Sequence, residues 1–192
     1  MIIIKKNILL LVMLLLTPTI YGQSIFDSYA NNDDVTLVSI SPKMFKMLGK
    51  ISISLDDLEA REFIEMVNSI NNFKVLVSSD KDIGIDMLNW VNQEVNNRGL
   101  EELMTVKDKD IDVSFYVKNG KNVDHVKQLL MYVNGEKLET KSTRLNIKGI
   151  TVESILLLIE GDINLNQISK LTEKMNLPGG NQLKNVKKKK NL

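Results

Sequence analysis

Residues 155–171 read ILLLIEGDINLNQISKL. Ile155 to Ile159 are five apolar residues in a row, and Glu160, Gly161 and Asp162 then stop the run. Three readings compete: a membrane segment, an acidic active-site loop, or a buried strand leading into a helix. A bilayer span needs about 20 apolar residues, so a run this short does not cross. A strand with one wet face alternates apolar with polar; this one does not, which predicts a central strand covered on both faces. Gly161 is read as a sharp exit from that strand, with Asn164 and Gln167 as a capping pair for a helix. Leu165, Ile168, Leu171 and Met175 then form the inner face of the helix, and Leu177-Pro178-Gly179-Gly180 ends it. Glu160 and Asp162 are read as ordinary acids beside a turn glycine.

Upstream of this stretch, LMTVKD, IDVSFYVKNG, VKQLLMYVNG and RLNIKG are short β-rich runs separated by turn signals. Asn119-Gly120 and Asn134-Gly135 are read as hairpin turns, because a type I′ turn needs positive φ at both central residues. The second half of the chain is therefore expected to be an antiparallel meander, with the segment from Gly135 to Ser154 longer than a simple connection requires.

The first half mixes strands and helices. IFDSYANNDD is a short amphipathic start with a polar turn, and VTLVSI (Val35 to Ile40) is a strand. Ser41-Pro42 opens a helix, serine as cap and proline where its missing N–H costs nothing. Met44, Phe45 and Leu48 are expected on the inner face of that helix, with Gly49 closing it. Asp56 and Glu59 resemble a capping pair for a second helix, whose stripe is Phe63, Ile64, Val67 and Ile70. FKVLVSS (Phe73 to Ser79) is a second strand. Lys81 to Arg98 is a third helix, striped by Leu88, Val91 and Val95 and stopped by Gly99.

At the start of the chain, Lys5 and Lys6 precede nine apolar residues, Ile8 to Leu16, and Tyr21-Gly22 ends on a small residue. That order predicts a cleaved secretory signal peptide at 1–22. Cleavage would leave 170 of the 192 residues, enough for one domain with a real core. The whole chain carries a net charge of +1. Without Lys5 and Lys6 the count is 23 basic against 24 acidic residues. The tail holds Lys184 and Lys187 to Lys190, so the body to Leu183 has 18 basic against 24 acidic residues, a net −6. A mildly acidic domain with a basic tail is no nucleic-acid binder. The expected division is a signal peptide at 1–22, a single α+β domain at 23–180 and a flexible Lys-rich tail at 181–192, the tail being a solubilising one.

Cysteine is absent, which excludes disulfides, thiol chemistry and lipid attachment through cysteine. His125 is the single histidine and is read as a surface strand residue; alone, without cysteine, it makes an ordinary zinc site improbable. Asp80, Asp82 and Asp86, and again Asp108, Asp110 and Asp112, have spacings that invite calcium. The sixth loop positions are Ile85 and Val113 where an EF-hand has glycine, so capping and strand-edge solvation are the readings taken. Ser78-Ser79-Asp80-Lys81 contains a serine–lysine spacing, but the companion Ser-Asp-Asn and Lys-Thr-Gly motifs are missing from the chain. Methionines 44, 47, 66, 87, 104, 131 and 175 are read mostly as core filler. Trp90 sits off the Leu88–Val91 stripe, a weak hint of a contact surface. No catalytic, cofactor-binding or metal-binding residue is assigned, and no cofactor is expected.

Phe26-Asp27, the segment Val38 to Phe45, and the closing strand-glycine-helix from Leu156 to Leu171 together carry a resemblance. They are similar to a family of small exported proteins of Bacteroidota, domain-of-unknown-function family 4252. The resemblance implies a Gram-negative envelope setting, and genes near extracytoplasmic sigma-factor systems, hence an envelope-stress role. It brings no catalytic residues.

The fold expected is α+β: one domain, a mainly antiparallel sheet of about five to seven strands, and three or four helices packed on it. The function expected is a non-catalytic exported binding or interaction module of the periplasm, with an envelope protein or a ligand as partner. A hydrolase using Asp, Glu, Ser or Lys groups in a pocket is the alternative. A pocket holding acids of perturbed ionisation is the feature that separates them. A structural envelope component docking through an exposed sheet edge is the third possibility.

Overall fold

The computed structural model describes residues 24–48, 58–107, 112–135, 145–147 and 150–167. Its elements, in chain order, begin with α1 (Ile25–Ser28), β1 (Val35–Ile40), α2 (Pro42–Leu48), α3 (Leu58–Ser69), β2 (Ile70–Ser78) and α4 (Lys81–Arg98). There follow β3 (Glu101–Lys107), β4 (Asp112–Asn119), β5 (His125–Asn134), β6 (Leu145–Ile147), β7 (Ile150–Val152) and β8 (Ser154–Asn164). Six strands form one sheet in the order β1-β2-β8-β5-β4-β3, every pair antiparallel, and β6 pairs with β7 as a separate hairpin. The architecture is the α+β single domain that the sequence predicts.

β8 occupies the centre because its side chains can be buried on both sides. Ile155, Leu157 and Ile159 face one cluster, with Phe45 of α2, Met66 and Val67 of α3, and Val113, Phe115, Leu129 and Met131 from neighbouring strands. Leu156 and Leu158 face the other, with Ile25 and Phe26 of α1, Ile83, Met87 and Val91 of α4, Leu76, Leu130 and Tyr132. Helices therefore cover both faces of the sheet around β8, and a strand without polar alternation is what such a position demands.

Helix α4 takes its boundaries from local chemistry. The Asp80 carboxylate accepts from the Ile83 N–H at 2.9 Å, and Gly99 adopts the left-handed conformation, φ 62° and ψ 50°. Without a Cβ, glycine enters that region at little cost. Gly84 brings the helix close to the sheet: its carbonyl accepts from the Tyr132 hydroxyl at 2.9 Å, and a Cβ there would sit 3.3 Å from Ser154 Oγ. At α2, Ser41 caps as expected, Oγ accepting from the Met44 N–H at 3.3 Å.

Several expectations need correction. β8 does not end at Gly161 but runs on to Asn164, pairing His125 with Asn164. Glu160 and Asp162 therefore stand on a strand and not beside a turn. Gly161 serves a close approach: a Cβ there would lie 2.1 Å from the Ser69 carbonyl oxygen, where Ile70 pairs with it across a bulge. Ile70 opens β2 instead of closing α3, because the chain passes from helix to strand with no intervening loop. Asn119-Gly120 is not a two-residue turn; residues 120–124 join β4 to β5, with the Gly120 N–H donating to the His125 carbonyl at 2.9 Å. Asn134-Gly135 does not turn β5 onto the next segment, since the second neighbour of β5 is β8 and β6–β7 form an excursion between them. Long-range burial of β8 outcompetes the local Asn-Gly preference there.

The helical stripes also shift. Phe45 is buried but Met44 is 48 % exposed. On α4 the inner stripe is Ile83, Met87 and Val91 at four-residue steps, with Val95 partly buried and Leu88 facing outward. Met66, Met87 and Met131 are core, whereas Met47 is exposed like Met44. Asn164 caps the helical turn at 165–167, its side-chain oxygen accepting from the Asn166 N–H at 2.9 Å. The expected signal peptide (1–22) and Lys-rich tail (181–192) lie outside the described residues, with Gly49, Asp56, Asp108, Asp110, Ile168, Leu171 and Met175, as do the side chains of Leu48, Glu59 and Phe63.

Candidate functional site

Each helical step of four residues brings a side chain back to nearly the same face. On α4, Trp90, Glu94 and Arg98 follow that step and form a line beside the buried Met87–Val91 stripe. On the sheet below, Asn72 stands opposite Glu160 and Lys74 opposite Leu158, in direct β2–β8 register. These residues, with Ser24 ahead of α1, line a cleft of about 190 Å³ between α4 and the sheet.

Arg98 organises the cleft. Its Nε donates to Glu94 at 2.6 Å, and its Nη1 lies 3.8 Å from Glu160. The Asn72 amide donates to the second oxygen of Glu160 at 2.8 Å. Burial raises the pKa of Glu94 above the ordinary carboxylate value; Arg98 pulls the other way, and the charge of Glu160 adds to the rise. Lys74 closes one side: its Nζ is 3.3 Å from Asp27 and 5.5 Å from the centre of the Phe26 ring. Phe26 in turn meets Trp90 edge to face, centroids 5.7 Å apart. Trp90 is thus pinned as a half-buried wall.

One polar group near the cleft has no partner. Gln128 is 96 % buried (4 % exposed) on β5, and its Nε2 finds no hydrogen bond. Gln128 is the β5 residue directly opposite Glu160, and Leu130 and Leu158, two positions along, belong to the α4-side cluster. Gln128, Glu160 and Asn72 therefore form one polar row across three strands on the α4 face. Register shifts at Ile70/Asn72 and Val126/Gln128 fall at this end of the sheet, where bulges re-aim side chains.

A second polar cluster lies at the same end of β8. Asp162 accepts from Lys121 at 2.7 Å and is bonded to His125 Nδ1 at 2.7 Å. The Lys121 and His125 contacts hold the Asp162 carboxyl below its usual value. His125 opens β5 as expected, but it is more covered than a surface position implies, with 19 % of its side chain exposed. Elsewhere Tyr29 donates to Asp86 at 2.6 Å, and that bond with burial and the charges of Asp86 and Asp80 pushes the phenol up to about 12. Asp80 is a helix cap, Asp82 sits in the first turn of α4, and Asp112 begins β4. Among the described residues no three His, Asp or Glu side chains converge as a metal site. No helix among them is long and apolar enough to cross a membrane.

Of the cleft residues, sequence reasoning singled out only Trp90 and Glu160. The four-residue spacing of Trp90, Glu94 and Arg98 was the available signal; Asn72 and Lys74 become visible only once β2 is paired with β8. A family model described as a domain of unknown function, DUF4252, matches residues 29–171. No curated protein and no solved structure matches the chain.

Proposed function

We infer that this chain, which belongs to the DUF4252 family, is a non-catalytic binding module of the bacterial envelope, exported by a cleaved signal peptide. The observation that carries the reading is the cleft under α4, whose ionised groups are already engaged with one another. Arg98 holds Glu94 and approaches Glu160, Asn72 holds Glu160, and Lys74 is held by Asp27. Such a network fixes side chains in place, which is what recognition needs. The signal-like start supports export, and a chain without cysteine has to be held together by its core.

A hydrolytic reading has one observation in its favour: Glu94 is a half-buried acid with a raised pKa inside a cleft, the arrangement of a general acid. The 2.6 Å bond from Arg98 counts against it, because it ties the carboxylate in its ionised form. Recovery of the native protein from its host decides between the two. The binding reading expects it in the periplasmic fraction, beginning near Gln23, with a bound ligand of unaltered mass in native mass spectrometry. Intact Met1 held in the inner membrane would contradict export, and release of a cleaved ligand by the wild type but not by Glu94→Gln would favour the hydrolase.

A further inference from the structure

We propose that the cleft takes a neutral polyhydroxylated ring, a saccharide unit, seated against Trp90 and hydrogen-bonded by Asn72, Glu160 and Arg98. The inference deepens the binding reading and rests on it. Two cations, Lys74 and Arg98, and two carboxylates, Glu94 and Glu160, line the cleft. Arg98 is shared by Glu94 and Glu160, and Lys74 is paired with Asp27 beside the cleft. An anion arriving there would have to compete with Glu94 for Arg98, and a cation would have to compete with Arg98 for the carboxylates. Each charged group of the lining already has a counter-charge, which a ligand of either sign would have to displace.

What the lining offers is a mixture of fixed donors and fixed acceptors. A carboxylate only accepts, a guanidinium only donates, and an amide does both. Hydroxyl groups, each donor and acceptor at once, match that mixture without bringing charge. Trp90 adds a broad apolar wall with Leu158 beneath, suited to the C–H face of a ring. About 190 Å³ lies below the range of about 300–1,000 Å³ for drug-sized ligands and suits a single ring. Behind the lining, Gln128 Nε2 is a buried donor without a hydrogen bond, on the β5 residue in register with Glu160.

Trp90 is the single tryptophan of the chain, so its fluorescence reports this cleft alone. The test titrates the protein with glucose, galactose, mannose and N-acetylglucosamine, and in parallel with inorganic phosphate and choline. The expected result is a saturable change with at least one sugar, of millimolar affinity, and none with phosphate or choline. Glu160→Gln should weaken that sugar about tenfold, the size of one lost charge-assisted hydrogen bond. Arg98→Lys, at a half-exposed side chain where folding is not at stake, should also weaken it by removing the planar fork. Lys121→Ala, which touches Asp162 and not the cleft, should leave it unchanged. A response to phosphate or choline in place of sugars overturns the saccharide assignment while leaving the cleft a binding site. Silence toward every sugar, with the native protein still carrying a ligand, also overturns it.

Discussion

Leu157 is 1 % exposed on β8, with Val75 and Met131 as its cross-strand neighbours. Leu157→Asp places a carboxylate where no water reaches, and an unpaired buried charge is among the most destabilising changes available. That variant should fail to accumulate as folded protein, and Leu157→Ala should lose about 2–5 kcal/mol in denaturant unfolding. A near-native melt for Leu157→Asp would contradict burial on both faces. Gly161 makes a different demand, set by backbone and not by packing. Its missing Cβ would meet the Ser69 carbonyl at 2.1 Å, so Gly161→Ala has to open the β2–β8 ladder. Its expected cost is about 1–3 kcal/mol, the range for strained backbone, read as a lower urea midpoint at unchanged slope.

Tyr29 sets a pH dependence. Its phenol is raised from 10.0 to about 12, chiefly by the hydrogen bond to Asp86. Below pH 10 the proton is bound in both folded and unfolded chains, and the contribution of this pair is whole. Between about pH 10 and 12 the unfolded chain releases its proton first, so stability falls as pH rises. Tyr29→Phe should flatten that part of a stability profile. An unchanged alkaline slope in the variant would refute the Tyr29–Asp86 pairing.

Helix α4 shows how far punctuation in the sequence carries. Asp80 and Gly99 bound Lys81–Arg98, and both act at the ends as their chemistry dictates. Asp80→Ala should lose about 1 kcal/mol, since it leaves the Ile83 N–H without its acceptor. β8 was equally readable, because a polar-free run admits few positions in a sheet. The stripe of α4 was less so: Leu88 looks like core by type, yet Met87 holds the inner position. The choice depends on where Gly84 lets the helix touch the sheet, which local spacing does not encode. The cleft was hidden for the same reason. Asn72 and Glu160 are 88 positions apart, and only the β2–β8 register makes them neighbours.

Taken as one body, the domain is a six-stranded antiparallel sheet with helices on both faces, and two of its polar clusters share one end. The bulges at Ile70/Asn72 and Val126/Gln128, the Arg98 network and the His125–Asp162–Lys121 cluster all fall there. The strands β1 and β3 are the sheet edges, and they offer the competing route of partner docking by strand addition. Binding in the cleft and binding at an edge perturb different residues. The direct measurement is an amide NMR spectrum of the isotope-labelled protein, recorded before and after adding an envelope extract of its host. A cleft-binding module predicts shifts confined to Asn72, Lys74, Trp90, Arg98 and Glu160, including the Trp90 indole N–H. Shifts concentrated along Val35–Ile40 or Glu101–Lys107, or no shifts at all, would contradict the account.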